Sequence, residues 1–433
     1  MKRILATLAV GVFSPWALAA EPSTGPPADP EALLREAAEG HPSLAAARSR
    51  LEASRHAVSS AKAPQDPEVS VAYTNDSLSS FTLGDSEFSN LALTWTQEIR
   101  RSGKRRQSGE VAARSVETAE KTLQRVTLEI LSQVKIAYAD LLRVDKTVAI
   151  LGELRQILDS VEQTARRRYE VGEGIQESVL KAQTRPLRLE AELTRLSLER
   201  AEVEARLNAA VGRAPDTPLG PATVPLEGAL PPGASDSDRA LENAPAIGEL
   251  EAEMHRAEAS AQLARWEEKP DYLWSASYQY RGDFDPMVMG MFGMRLPLYK
   301  DRKQAQATAQ ADAEVSAARS DLARQRIETQ AVFLAQSARI RRSEQLLSLY
   351  RQGIVSQAQT TFESGRASYA VGRLGLQDLL NDLEAVEEAR KEEVAIDTER
   401  MQALAALEPI VGRELLRPAQ APTGEGGEHA PLP

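Results

Sequence analysis

A segment of twelve residues occurs twice in this chain, 200 positions apart, and this repetition limits the possible folds more than any other feature. Tyr169–Leu180 reads YEVGEGIQESVL, and Tyr369–Leu380 reads YAVGRLGLQDLL. Both copies lie between runs with helical periodicity, and a glycine just beyond a helix end supplies the left-handed backbone of a C-cap. Each copy therefore predicts a tight helix–turn–helix, and the repetition predicts that the whole chain is duplicated. The expected turn glycines are Gly172, Gly174, Gly372 and Gly375.

The first twenty residues have the layout of a secretory signal peptide. Lys2 and Arg3 precede a short apolar run over residues 4–12, and small residues end the segment. A membrane helix is the alternative, but the run is too short and Pro15 interrupts it. Residues 1–20 are therefore expected to be removed on export, which would take the formal net charge from −11 to −13. Such acidity disfavours bulk binding of nucleic acid.

Each half of the chain repeats one order of helix, paired strands, long helix and return helix. The first repeat is 21–211, with a helix over 31–63, a hairpin over 68–99, a long helix over 101–169 and a return helix over 175–211. The second repeat is 238–411, with a helix, a hairpin over 271–298, a long helix over 301–369 and a return helix over 376–411. A Pro-rich linker over 212–237 and a polar tail over 412–433, expected to be mobile, complete the chain.

The four predicted strands are amphipathic. Val69, Val71 and Tyr73 alternate with polar residues, and residues 88–99 and 271–281 show the same period of two. One apolar face, one polar face and about 10 residues per strand are what a transmembrane β-barrel strand requires. Four strands cannot close a barrel, because bacterial barrels have at least about eight. Several copies are therefore expected to share one barrel, although the strand count alone does not select three copies.

The predicted helices are long, and aromatic residues make up only 5% of the chain. The 69 residues over 101–169 would span roughly 100 Å at the rise of an α-helix. Their Ala/Leu stripes favour side-by-side coiled packing over a compact core. The strands are expected at one end of this rod, the glycine turns at the other end and the linker midway. A solvated coiled-coil rod is the alternative, and the amphipathic strands argue against it.

These features together resemble the TolC family of outer-membrane efflux proteins, from Glu31 to about Leu416. The resemblance rests on the duplicated order, the two Tyr-x-Val-Gly turns and the sequence LPL at 296–298. TQEI at 96–99 followed by GKR at 103–105 is similar to the heavy-metal branch, the CusC- and CzcC-like proteins. The cysteine-free chain cannot carry the lipid-modified N-terminal cysteine of a lipoprotein.

The resemblance implies a mostly α fold with a small β part, assembled as a homotrimer. Three chains would form a 12-stranded transmembrane β-barrel in the outer membrane of a Gram-negative bacterium, continued by an α-helical barrel across the periplasm. The implied function is passive conduction of substrate, with heavy-metal cations as a candidate, from an inner-membrane RND-type pump and a periplasmic adaptor (membrane fusion protein). Outer-membrane lipid would be a further partner.

The resemblance also places the periplasmic entrance at the two glycine turns. Tyr369 matches the gating tyrosine of the family, and Asp378 matches the first residue of its acidic ring. Leu374 and Asn381 stand where an arginine and an aspartate are expected, so the closed state should not rest on the family's Arg–Asp lock. In the first repeat, Ser178 stands where an acidic partner often lies, and Glu177 is beside it.

Asp378 and Tyr369 each have two open interpretations. Asp378 could place one carboxylate per subunit in a ring that attracts cations, or it could stabilise the first turn of the helix that follows it. Tyr369 could hydrogen-bond across the entrance, or it could pack as an apolar ring at a helix end. Three arginines precede the first turn, and we expect them to interact with the dipole of their own helix. They are Arg166, Arg167 and Arg168.

Other candidate positions lie on the strands or directly after them. Met287, Met289 and Met291 share one strand face, and their thioethers suit Cu(I) or Ag(I) if that face lines a lumen. Apolar filler near a loop is the alternative. Two basic clusters follow the second and fourth strands, where contact with phospholipid head groups or simple exposure at a helix start is expected. They are Arg100, Arg101, Lys104, Arg105 and Arg106, and Lys300, Arg302 and Lys303.

The sequence carries no motif for catalysis, for a cofactor or for a resident metal. Its four histidines, at positions 41, 56, 255 and 429, lack metal-ligand or catalytic spacing. We therefore predict a channel subunit that is not an enzyme and needs no cofactor. A secreted or periplasmic coiled-coil protein, structural or adaptor-like, is the alternative, and it would be soluble without lipid or detergent.

Overall fold

The computed structural model describes residues 25–230 and 241–419, and the expected signal segment lies outside them. The first half contains α1 (Pro30–Gly40), α2 (Pro42–Lys62), β1 (Glu68–Thr74), β2 (Asn90–Ile99), α3 (Ser102–Glu170), α4 (Gln176–Val211) and β3 (Leu226–Gly228). The second half contains α5 (Pro245–Trp266), β4 (Asp271–Arg281), β5 (Phe284–Arg295), α6 (Gln304–Leu349), a π-helical segment (Tyr350–Ile354), α7 (Val355–Ala370), α8 (Leu376–Val411) and β6 (Leu416–Pro418).

The helix predicted over 31–63 is divided at His41, which corrects the expectation of one continuous helix. His41 has an extended backbone, with φ −63° and ψ 128°, and it separates α1 from α2. The cause is Pro42, because a proline ring disfavours helical backbone at the residue before it. The His41 side chain then caps α2, since its Nδ1 accepts a 3.1 Å hydrogen bond from the Ser43 N–H.

The second long helix also differs from its prediction. It begins at Gln304 instead of 301, and the π-helical segment interrupts it between α6 and α7. The buried residues Leu347 and Phe362 bracket that segment and lie fifteen positions apart, one more than two heptads. A π turn absorbs one extra residue. It therefore keeps Phe362, and Tyr369 seven residues later, on the buried face of the helix.

The four hairpin strands form one antiparallel sheet in the order β1–β2–β4–β5. Cross-strand partners share a face of the sheet. One row of partners is apolar and consists of Val71, Leu93, Tyr278 and Val288. The next row is mostly polar and consists of Ser70, Thr94, Ser277 and Met289. The apolar face is exposed, to 67% at Val71 and 77% at Val288. Strands β1 and β5 are the two edges, and neither pairs on its outer side with another described strand.

The linker and the tail meet beside the middle of α3. Strands β3 and β6 pair antiparallel, with Leu226 opposite Pro418. Leu416 is fully buried, and Arg400 on α8 donates a 2.9 Å hydrogen bond to the Gly228 carbonyl. Residues 416–418 therefore pair as a strand with the linker and Leu416 packs in the core, whereas the sequence predicted a mobile tail from residue 412 onward. Residues 420–433 of the tail and part of the linker lie outside the described residues.

The main hydrophobic core runs along α3, which packs against α1, α2, α4, α5 and α8. Leu142, Leu151 and Leu154 are at most 1% exposed, and Leu207 of α4 and Leu404 of α8 are fully buried in the same core. Within 25–230 and 241–419, none of the helices has a stretch that is both long enough and apolar enough to cross a bilayer.

Candidate functional site

The two glycine turns share one backbone geometry. The third residue after each turn tyrosine has a positive φ, 79° at Gly172 and 76° at Gly372. Gly174 is needed for space instead, because a Cβ there would lie 3.1 Å from the backbone nitrogen of Tyr169. Gly375 is extended, with φ −74° and ψ 153°, and it is the N-cap residue of α8. Left-handed backbone is thus required only at the first glycine of each turn.

The tyrosines of the two turns differ in exposure. Tyr369 is 5% exposed and Tyr169 is 47% exposed. Arg168, in the last turn of α3, places its guanidinium 5.1 Å from the centre of the Tyr369 ring. Its Nη1 also donates a 2.8 Å hydrogen bond to the Tyr369 carbonyl oxygen. Burial raises the pKa of the Tyr369 hydroxyl, and the Arg168 charge partly offsets that rise. The ring therefore packs beneath a cation.

The remaining gate candidates of the second repeat surround the start of α8. Asp378 is exposed in the first turn of α8, where a carboxylate also interacts favourably with the helix dipole. Asn381 is exposed, and its Oδ1 accepts a 3.0 Å hydrogen bond from Gln377. Leu374 is half-buried and packs against the hydrophobic core. The turn end thus presents a carboxylate to solvent, while the position of the expected arginine is used for packing.

The first-repeat candidates make local contacts. Glu177 is exposed and forms a 2.8 Å ion pair with Lys181, which lowers the pKa of Glu177. Ser178 is half-buried, and its backbone N–H donates a 3.1 Å hydrogen bond to the Ile175 carbonyl. Both contacts lie within α4 and its first turn. The described structure therefore does not join either residue to Tyr369 inside one chain.

Ion pairs connect the two repeats beyond the turns. Arg185 on α4 lies 2.9 Å from Glu387 on α8. Lys391 on α8 lies 2.8 Å from Glu192 on α4 and 3.2 Å from Glu387. The side chain of Glu387 is only 11% exposed, so it is held between two cations in a partly dry environment. These contacts fix α4 of the first repeat against α8 of the second.

The three candidate methionines lie on the mostly polar face of the sheet. Met287, Met289 and Met291 on β5 pair with glutamine and serine residues of β4 and are 44% to 50% exposed. Met294, also on β5, pairs with Tyr272 on the opposite, apolar face. In the part of the chain that the structure describes, no group of three or more His, Cys, Asp or Glu side chains could hold a metal ion.

Lys104 does not behave as an exposed or lipid-binding charge, which corrects that expectation for the basic cluster after β2. Its side chain is 2% exposed, and its Nζ lies 2.7 Å from Asp271 and 3.1 Å from Glu267. Arg100 lies 2.9 Å from the same Glu267, and Lys300 pairs with a glutamate of the same segment at 3.0 Å. The carboxylates between α5 and β4 neutralise these cations because β2 and β4 are adjacent strands.

The contact of Arg168 with Tyr369 was missed by sequence reasoning, which assigned Arg168 to the dipole of its own helix. The signal that could have revealed it is a break in the duplication. The first copy reads RRRY over 166–169 and the second reads RASY over 366–369. The second copy has Ser368 at the position equivalent to Arg168, so it has no arginine at that position to place over Tyr169.

A duplicated helical hairpin with an amphipathic sheet at one end and paired glycine turns at the other defines the fold class of outer-membrane channels. The chain belongs to the outer membrane efflux protein family, because the model of that family matches residues 33–213 and 237–413. This family is one of efflux components and not of enzymes. A comparison with curated protein sequences gives no significant match.

Solved structures with the same fold include several outer-membrane proteins. VceC of Vibrio cholerae is 19% identical, with a TM-score of 0.74 over 89% of this chain and 96% of that chain. CusC is 14% identical, with a TM-score of 0.76 over 89% and 92%. The open-state channel MtrE of Neisseria gonorrhoeae is 17% identical, with a TM-score of 0.70 over 90% and 91%. At these identities the likeness establishes the fold alone.

Proposed function

We propose that this chain is the outer-membrane channel of a tripartite efflux system and conducts substrate passively from a pump and its adaptor. The observation that carries the proposal is the sheet. Its apolar face is exposed in a single chain, to 52% at Leu93 and 70% at Phe292, although water disfavours such a surface. A lipid bilayer would cover that face, and the polar face would then line a lumen.

The open edges of the sheet support assembly into a homotrimer. All neighbouring strands are antiparallel, so β1 and β5 run in opposite directions. The β1 edge of a second copy can therefore continue the alternation next to β5. Three copies would close a barrel of twelve strands, well above the minimum of about eight. The long helices of the three copies would extend that barrel into the periplasm.

The proposed organisation has two repeats, 21–211 and 238–411, after a cleaved signal at 1–20. The family model matches two stretches with similar limits, which supports this division. The described parts of the linker 212–237 and of the tail 412–433 would lie at the equator, where β3 pairs with β6. The turn ends would face a periplasmic adaptor and an inner-membrane RND-type pump. The chain would lie in a Gram-negative outer membrane without a lipidated cysteine.

Membrane fractionation tests this proposal against the alternative, a secreted or periplasmic coiled-coil protein. The channel should cofractionate with outer membranes and require detergent for extraction. On gels it should migrate as a heat-modifiable, SDS-resistant oligomer. Reconstituted into planar bilayers, it should also give discrete conductance steps. A mature chain that stays monomeric and soluble without detergent would contradict the proposal and support the coiled-coil alternative.

Heavy-metal cations are the substrate class that we propose for this channel. Asp378 exposes a carboxylate at the turn end, and three copies would form a ring that concentrates cations. Met287, Met289 and Met291 add thioethers on the face proposed to line the lumen, and thioethers suit Cu(I) and Ag(I). The segments TQEI at 96–99 and GKR at 103–105, similar to the heavy-metal branch, also favour metal export.

A tolerance assay tests the metal proposal. Replacing Met287, Met289 and Met291 together with leucine should lower copper or silver tolerance of cells that depend on this channel. Met294→Leu is the matched control, because Met294 is equally exposed at 49% but lies on the apolar face. Asp378→Asn should weaken block of the reconstituted pore by divalent cations. Unchanged tolerance and unchanged block would remove the cation assignment and leave the channel itself in place.

A further inference from the structure

The duplicated turns are not equivalent, and the difference lies in one arginine. Arg168 in the first copy corresponds to Ser368 in the second, although both are followed by a tyrosine. The two turn tyrosines have different environments in the structure. Tyr369 is buried under Arg168, whereas Tyr169 remains 47% exposed. Among the described residues, the first repeat therefore places a cation over the tyrosine of the second turn, and no cation lies over Tyr169 in the same way.

Arg168 contacts the second turn in two ways, and a glycine leaves space for it. Its guanidinium lies over the Tyr369 ring at 5.1 Å, within the range of a cation–π interaction. Its Nη1 donates to the Tyr369 carbonyl at 2.8 Å. Gly372 has no Cβ, and one placed there would lie 3.0 Å from Nη2, so the glycine leaves room for the guanidinium beside the turn.

The Tyr369 carbonyl lies at the C-terminal end of α7 and already accepts a 3.0 Å hydrogen bond from the Gly372 N–H, so Arg168 adds a second, charged donor to the same oxygen. Arg168 comes from α3, so the cation that caps α7 belongs to the other repeat. A positive charge near a helix C-terminus is favourable. Because the charge comes from α3, the same contact also holds the two turns together. Farther from the turns, Arg185 with Glu387 and Lys391 with Glu192 continue the connection between α4 and α8.

We propose that Arg168 is the latch that holds the second-repeat turn against the first-repeat turn, and that the entrance opens only when this contact breaks. The inference rests on the proposed channel function and adds the residue that keeps the entrance closed. Leu374 and Asn381 cannot form an Arg–Asp ion pair. The proposal gives the role of that ion pair to the contact between Arg168 and Tyr369 within one chain. Because Tyr369 acts through its ring and its backbone carbonyl, the latch does not depend on its hydroxyl group.

Hydrogen exchange measured by mass spectrometry tests the contact independently of conduction. In the full mature protein in detergent, Arg168→Gln should raise exchange over residues 369–375 on the order of tenfold, because a charge-assisted hydrogen bond and a cation–π contact are lost. Arg167→Gln is the matched control, since Arg167 is the exposed neighbour of Arg168 in the same helical turn. Equal exchange in the two variants would overturn the latch.

Four further variants separate the parts of the contact. Tyr369→Leu should raise exchange and Tyr169→Leu should not, because only Tyr369 lies under the guanidinium. Tyr369→Phe should match the wild type, because its ring and carbonyl are unchanged. Arg168→Lys keeps the charge but not the planar fork, and it should recover part of the protection. If Arg168→Lys protects no better than Arg168→Gln, charge does not hold the turn and the proposal fails.

Planar-bilayer recordings then connect the contact to the entrance. Arg168→Gln and Tyr369→Leu should raise open probability on the order of tenfold, which corresponds to about 1.4 kcal/mol. Far-UV circular dichroism of each variant confirms that the helices remain folded. Raised exchange without raised conductance would overturn the role of Arg168 at the entrance. The absence of any conductance in the wild type would instead contradict the proposed channel function.

Discussion

The ammonium nitrogen of Lys135 lies 2.9 Å from both carboxylate oxygens of Glu408, and the two side chains are only 2% and 1% exposed. Lys135 comes from the middle of α3 and Glu408 from the last turn of α8. Glu408 also accepts hydrogen bonds from the backbone N–H groups of Leu415 and Leu416, each at 2.8 Å. The pair therefore fixes the first repeat, the second repeat and the start of the tail at one point.

Removing one member of this pair should be strongly destabilising. Lys135→Met leaves the Glu408 carboxylate buried without its cation, and we expect a loss of about 3–5 kcal/mol in the free energy of unfolding. Denaturant unfolding in detergent, followed by far-UV circular dichroism, measures it. Arg35→Met is the control, because Arg35 and its partner Glu31 are 67% and 70% exposed and should contribute less than about 1 kcal/mol. Similar losses for both variants would contradict this prediction.

Two glycines in α3 should respond to alanine in opposite directions. A Cβ at Gly103 would lie 2.4 Å from the Trp266 ring, so Gly103→Ala should cost about 1–3 kcal/mol through overpacking. Gly152 has no atom within 4 Å of such a Cβ, and Gly152→Ala should stabilise the helix by about 0.5–1 kcal/mol. Thermal unfolding of the two variants checks the signs. A stabilised Gly103→Ala variant would show that the contact with Trp266 relaxes freely.

The π-helical segment should tolerate the deletion of one residue. Deleting Gly353 restores a spacing of two heptads between Leu347 and Phe362, so the buried face stays aligned and the protein should remain folded. Deleting Gly152 is the control, because it would rotate Leu154 and Leu158 out of the core, at about 2–5 kcal/mol for each leucine. Yield of the folded oligomer and its melting temperature compare the two. Equal damage from both deletions would mean that the extra residue is needed.

The contact between α6 and α8 should weaken in acid through Glu399. Its hydrogen bond with Arg339, at 2.7 Å, holds the pKa of Glu399 below its ordinary value. A depressed pKa stabilises the fold above the unfolded value, and this contribution disappears as the pH falls through the folded pKa. Glu399→Gln should therefore lower stability near neutral pH by less than about 1 kcal/mol, since the Arg339 side chain is 47% exposed and solvent screens the pair. In acid the unfolding midpoints of the wild type and of Glu399→Gln should converge. A difference between the two midpoints that does not change with pH would contradict the role of Glu399.

Much of the fold could be predicted because its signals are local. The mostly helical class with a small sheet follows from periodicity. Membership of the efflux family was implied by a resemblance in the repeated turns and the duplicated order, and the family model confirms it. Alternation at Val69, Val71 and Tyr73 marks the place where β1 forms. The breaks at His41 and at the π-helical segment were harder to predict. The first depends on one proline, and the second depends on a register that becomes visible only when the buried residues are known.

Periodicity and turn chemistry in the amino-acid sequence were sufficient for the duplication, the amphipathic strands and the glycine turns, because each is encoded within a few neighbouring residues. Only the tertiary structure decided which distant side chains meet. Arg168 and Tyr369 lie 201 positions apart, and Lys135 and Glu408 lie 273 apart. Such pairs depend on how long helices align along their whole length. A shift of one residue in that alignment would separate the partners without changing any local pattern.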